Sequence, residues 1–301
     1  MTAETDTPTA SSAAPAARRL PAAMVAWFQA APLALVLGAF LVLPIIMIVI
    51  VSFWGATEYS IYPAFQFDNY EFLFGSPVTY KVFFNTFKYA LITWAATLLI
   101  GFTVAYFLAF HVRSLTWQVA LFLLCTIPFW TSNIIRMISW IPFLGRNGIA
   151  NSTLISWGVI DEPLDWLLFS DFSVILAFVH LYTLFMVVPI FNTMMRIDRS
   201  LIEASYDAGA TGWQTLWHVI VPLTKPGIMI GTIFVITLVM GDFITVRFMS
   251  GSQSANVGRL ISNDIGLLQY PSAAATAVVL LITVLLVIGI LLRFVDIRKE
   301  L

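Results

Sequence analysis

Residues 203–226 read EASYDAGATGWQTLWHVIVPLTKP, a polar, glycine-punctuated stretch set between two long apolar runs. Glu203, Ala204, Tyr206, Asp207 and Ala208 suit a short helix, Gly209 and Gly212 permit a sharp turn, and Trp213 to Val221 suits a second amphipathic helix. Pro222 and Pro226 are expected to stop that second helix before the next apolar run begins. Two short helices meeting at an angle make a knob, and the rest of the chain is arranged around it.

What flanks the knob is membrane. Of 301 residues 60% are hydrophobic and only 10% are charged, whereas charged residues make up about a quarter of an ordinary soluble domain. Working outward, the preceding run predicts a span from about Asp171 to Met195, and the following run a span from Gly227 to about Phe248. Further spans are expected from about Pro32 to Trp54, with Pro44 as its kink, from about Phe83 to Phe110, from Trp117 to about Arg136, and from about Ala273 to Phe294. The fold class is therefore all-α integral membrane, with six transmembrane helices and the knob between the fourth and fifth. Residues 1–22 are rich in Ala, Thr, Ser and Pro and carry almost nothing to bury, so they read as a disordered tail.

An even number of spans puts both termini on one side. Arg18, Arg19, Arg113, Arg196, Arg199, Lys225, Arg293, Arg298 and Lys299 fall there, while the opposite loops carry mostly Asp and Glu, with Arg146 and Arg259 as exceptions. By the positive-inside rule the termini and the knob are expected to be cytoplasmic. Residues 55–82, rich in Tyr and Phe, then lie along the opposite interface, and residues 139–170 form a second loop there with short interfacial helices.

Several kinds of chemistry find no residues. No G-x-x-x-x-G-K-[ST] loop, H-E-x-x-H or G-x-S-x-G occurs, so nothing supports ATP hydrolysis by this chain itself or a protease reading. Cys125 is the single cysteine, and His111, His180 and His218 are scattered, which leaves no metal or cofactor site; there is no basic block for nucleic acid. His180 reads as a hydrogen-bonding residue between neighbouring helices. Asp242 stands out, because a carboxylate within a span is costly and is a functional candidate by default. It meets either a cationic cargo or a structural arginine, Arg247 or Arg136.

The knob resembles the cytoplasmic coupling motif of ABC importer permeases: an E-A-A triplet, Gly four residues on, and Ile-x-Leu-Pro after nine more. Glu203, Ala204, Gly209 and Pro222 match, while Ser205, Val219 and Val221 replace the third triplet residue, the Ile and the Leu. A second stretch, PFWTSNIIRMISW at 128–140, is similar to the P-F-W-x-S-x-x-I-R-x-x-x-W pattern of the polyamine-type branch, and MGDFITVRFMSG at 240–251 supplies a third match. The resemblance covers nearly all the chain after residue 30.

It implies a single permease domain over residues 23–301 in a bacterial inner membrane, without catalysis of its own. The implied partners are a second permease subunit, two ATP-binding cassette subunits, an extracytoplasmic binding protein and the surrounding lipid. Glu203, Ala204, Tyr206, Asp207, Gly209 and Pro222 would dock on the ATPase, with Glu203 pairing with a basic groove residue. Asp242, Phe129, Trp130 and Arg136 become candidates for the substrate pathway. A spermidine- or putrescine-like cargo is implied, but related permeases carry thiamine, iron or sulfate on one scaffold. An ion-gradient-driven secondary transporter is the rival reading; it calls for several intramembrane carboxylates or histidines, where this chain offers Asp242 and His180.

Overall fold

The computed structural model describes residues 22–57 and 60–293, so most of the expected tail lies outside the described residues. By internal packing the chain divides into two units, Met1–Met47 and Ile48–Leu301. The helices are α1 (Ala22–Leu37), α2 (Leu43–Val51), α3 (Asp68–Gly75), α4 (Pro77–Tyr106), α5 (Leu115–Thr126), α6 (Asn133–Leu144) and α7 (Ile149–Ser156). They continue with α8 (Asp171–Met194), α9 (Arg199–Asp207), α10 (Gly212–Thr215), α11 (Val221–Gly241), α12 (Ile244–Met249), α13 (Val257–Gly266) and α14 (Tyr270–Arg293). A two-residue ribbon pairs β1 (Gly55–Ala56) with β2 (Ile61–Tyr62).

Among the described residues five helices are long and apolar enough to cross a membrane, or six if one sharply bent pair counts as a single span. The five are Gln29–Val51, Pro77–His111, Asp171–Met194, Gly212–Gly241 and Tyr270–Arg293. The bent pair is Leu115–Trp130 with Asn133–Ser156, turned by 89°.

The second span starts at Pro77 and the last at Tyr270, earlier than the expected Phe83 and Ala273, and three further departures change the architecture. The third span does not run on to Arg136: α5 tightens into a 3-10 turn at Ile127–Trp130, and Thr131 and Ser132 are extended. Pro128 removes a donor there, so the chain leaves helical geometry and restarts with Arg136 on α6. The fifth span ends at Gly241, and Asp242 adopts an extended conformation before α12.

The third departure concerns Pro222 and Pro226, which do not stop the second knob helix. Gly212–Gly241 is one 30-residue helix. The wider π turn at Leu216–Ile220 takes up the strain, because the carbonyl that the Pro222 ring would strike four residues back, that of His218, lies within it. The same device recurs at Pro44, two residues past a π turn at Gly38–Val42.

In the larger unit α8 packs between α4 and α11, with Tyr89, Phe178, Met186, Ile190, Met194, Val235 and Met240 fully buried. Close approach of α8 and α11 needs a missing side chain: a methyl at Gly231 would stand 2.6 Å from the Met186 sulfur. Trp94 of α4 closes the third side, its indole N–H donating to Thr232 Oγ1 at 2.9 Å.

Candidate functional site

The knob is built by local capping. Asp198 accepts from the Ser200 N–H at 3.0 Å and so starts α9. Those hydrogen bonds from Ser200, the backbone one foremost, hold its carboxyl below the ordinary value. At the other end Gly209 takes φ +82°, with its N–H on the Tyr206 carbonyl and the Ala210 N–H on the Ser205 carbonyl. Those two bonds are the Schellman closure, whose left-handed residue is costly for anything with a Cβ. Thr211 and Gln214 then form a capping box that opens α10. Ser205 and Thr215 join their hydroxyls at 2.9 Å, locking α9 to α10. Glu203, Ala204, Tyr206, Asp207, Gly209 and Pro222 are all exposed.

A groove runs along α8 from this knob. Its larger chamber, about 1020 Å³, is lined by Phe129, Phe185, Pro189, Arg196, Pro222 and Phe234 among others. A second chamber of about 370 Å³ shares Phe129 and Leu184 with the first and ends at Arg136, Trp140 and His180. Phe129 meets Phe185 edge-on at 5.7 Å. Trp130 points away, is 83% exposed and lines neither chamber. The Trp140 indole donates to His180 Nδ1 at 3.0 Å, as a hydrogen bond between neighbouring helices requires, and this leaves the imidazole proton on Nε2.

Asp242 lines neither chamber. Its carboxylate accepts from the Tyr182 hydroxyl at 2.6 Å, the Thr245 hydroxyl at 2.6 Å and the Thr245 N–H at 2.9 Å, so it caps α12 and ties it to α8. Asn256 donates to the Asp242 carbonyl at 2.6 Å. Among the described residues the ion pairs are Lys88 with Asp171 and Arg146 with Asp165, so neither Arg247 nor Arg136 pairs with Asp242.

The sequence reading missed the partners. Tyr182 and Thr245 are ordinary residues in apolar runs, although an Asp ahead of a short helix is itself an N-cap signal that could have been seen. A second cluster was also unforeseen. Asp171 receives Lys88 Nζ at 2.6 Å, Ser254 Oγ at 2.8 Å and the Tyr89 hydroxyl, gathering α4, α8 and the loop after α12.

The family described as Binding-protein-dependent transport system inner membrane component matches residues 117–300. The spermidine/putrescine transport system permease protein PotB of Escherichia coli K12 is 34% identical over 258 residues, covering 84% of this chain and 90% of that protein. PotB of Haemophilus influenzae is 29% identical over 257 residues, covering 84% and 88%. Among solved structures, a bacterial alginate ABC transporter in complex with its alginate-pentasaccharide-bound periplasmic protein superposes with a TM-score of 0.70 at 17% identity, covering 89% of this chain and 92% of that one; it speaks for the fold alone. Permease subunits of this family are non-catalytic, and separate ATPase subunits hydrolyse ATP. With the multi-span fold already established, these matches make the chain a member of the binding-protein-dependent inner membrane component family, an ABC-type importer permease subunit of the multi-pass inner membrane, homologous to the PotB-like permeases.

Proposed function

We propose that this subunit passes a polyamine-like amine across the membrane, received from an extracytoplasmic binding protein and driven by two ATP-binding cassette subunits, with a second permease completing the path. Support for the cargo comes from relatives named for spermidine and putrescine, and from the exposed aromatic Phe129 at the junction of the two chambers. Trp130 then serves a cation–π surface shared with the partner permease. Asp242 has acceptor capacity beyond its three bonds, since a carboxylate offers about four lone-pair sites, and it is assigned to one ammonium group.

The observation that carries the reading is the exposed, self-capped knob. Glu203, Ala204, Tyr206 and Asp207 form a rigid surface that fits a groove on a partner, with Gly209 fixing its angle and Pro222 beginning the membrane rod. On this reading the knob and the termini face the cytoplasm, as the distribution of Lys and Arg suggests, and the ATPases bind there.

The test is uptake of labelled putrescine or spermidine into proteoliposomes holding this chain with its co-expressed permease, ATPase and binding protein. Uptake should require ATP hydrolysis and should fall sharply in Asp242→Asn while basal ATP turnover persists. Uptake that follows an ion gradient without ATP would reject the importer reading. Full polyamine uptake by Asp242→Asn would remove that residue from the path.

A further inference from the structure

Arg136 is a buried cation with no counter-ion among the described residues. It is 9% exposed, its Nε has no hydrogen-bond partner, and its guanidinium donates only to Asn133 Oδ1, a neutral amide. No carboxylate lies within ion-pair distance among the described residues. Isolated buried cations are expensive and persist where they are paired or await a partner.

The guanidinium lines the 370 Å³ chamber, together with Phe129, Trp140, His180 and Cys125. That volume lies within the range of small-ligand sites, and an apolar wall with a few convergent polar groups is their usual make-up. His180 supplies no counter-charge and no second positive charge: with Nδ1 accepting the Trp140 N–H, its imidazole is neutral. Five guanidinium N–H groups in a planar fork match a carboxylate, and most of them are uncommitted here.

We propose that this chamber is a binding site for a small organic carboxylate, with Arg136 as its receptor. This goes beyond the amine-importer reading above: the ligand is a carboxylate held beside the path and is not the cargo. Its acid group supplies the counter-charge that Arg136 lacks among the described residues.

Cys125, the chain's single cysteine and half-buried, lines the same chamber and reports on it. In the assembled complex in nanodiscs, Cys125 is to be labelled with an anionic ethylsulfonate and a cationic ethylammonium methanethiosulfonate, with mass spectrometry reading this chain. The sulfonate reagent should react about 10-fold faster than the cationic one, the lower end of what a focused field produces. That preference should vanish in Arg136→Gln and survive in Arg136→Lys, which also controls for folding.

Butanoate and 4-aminobutanoate should each slow the labelling, and putrescine should not. Equal rates for the two reagents in the wild-type complex would overturn the proposal, as would protection by putrescine alone. Protection by chloride equal to that by butanoate would overturn the carboxylate assignment. These readings are taken without ATP or binding protein, so a failed uptake assay and a failed labelling assay are told apart.

Discussion

The Tyr182 hydroxyl donates to the Asp242 carboxylate at 2.6 Å, joining the middle of α8 to the break between α11 and α12. Tyr182 is buried and Asp242 half-buried, so water is a poor substitute for either partner. Tyr182→Phe should cost about 1.5–3 kcal/mol, the range for a hydrogen bond to a charged group, seen as a lower Tm of the purified complex. Thr245→Val removes a second donor from the same carboxylate, and the two losses should be non-additive. An unchanged Tm in both variants would show that the knot does not hold the break.

Gly209 sits at φ +82° with nothing within 4 Å of where a Cβ would stand, so the cost of replacing it is in the backbone and not in a clash. Asn visits this region more readily than other residues. Gly209→Asn should therefore keep most ATP-driven uptake, while Gly209→Leu should abolish it with membrane insertion intact. Equal uptake by the two would show that the closure of α9 has no part in coupling.

Asp198 caps α9 with a depressed carboxyl pKa, set first by the backbone hydrogen bond from Ser200. A depressed value means that the capping contribution is present above the unfolded value and is lost as pH falls through the folded one, below the ordinary carboxylate range near 3.8. Amide exchange across residues 199–203, corrected for intrinsic rates, should accelerate in that acid window. Asp198→Asn keeps an acceptor and should flatten the response; a response of wild-type shape in that variant would assign it to another group.

Lys88 and Asp171 are 30% and 42% exposed, so solvent screens their attraction. Lys88→Met should cost no more than about 1 kcal/mol. Asp171→Ala also frees Tyr89 and Ser254 and should cost more, loosening the loop at 250–256. Exchange of the Val257 amide, which donates to Thr86 Oγ1 at 3.0 Å, would register the difference.

How much could be read in advance varied with the physics of each element. The α8 span was legible from hydropathy to within a residue, because desolvation is additive along a helix. The turn at Gly209 was legible too, since it acts within a few residues of itself, whereas the Asp198 and Thr211 caps went unread and the second helix runs on past Pro222. The breaks after Trp130 and at Gly241 were not: Thr131, Ser132 and Asn133 follow the first and Asp242 the second, but a few polar residues do not say by themselves whether a span ends or carries on past them. Pro128 removes a helix donor near the first, but only contacts made across the fold decide that the chain turns by 89° there. Asp242 was singled out by its charge alone, whereas its partners Tyr182 and Asn256 are 60 and 14 positions distant. Arg136 was placed in the pathway, but its lack of a counter-ion is visible only when every neighbour is in place.

The unbroken helix from Gly212 to Gly241 gives the molecule a lever. Thirty residues at about 1.5 Å each make a rod of ~45 Å. One end is clamped to α9 through the Ser205 and Thr215 hydroxyls, and the other stops at the Asp242 break. Had Pro222 or Pro226 ended the helix, a push on the knob would be absorbed by a joint. A rod carries it: a tilt of about 10° about the knob end sweeps the far end through roughly 8 Å, given that length, more than the rise of about 5.4 Å in one helix turn. Displacement is then delivered to the place where Tyr182 and Thr245 hold the chain, with no intermediate part needing to bend.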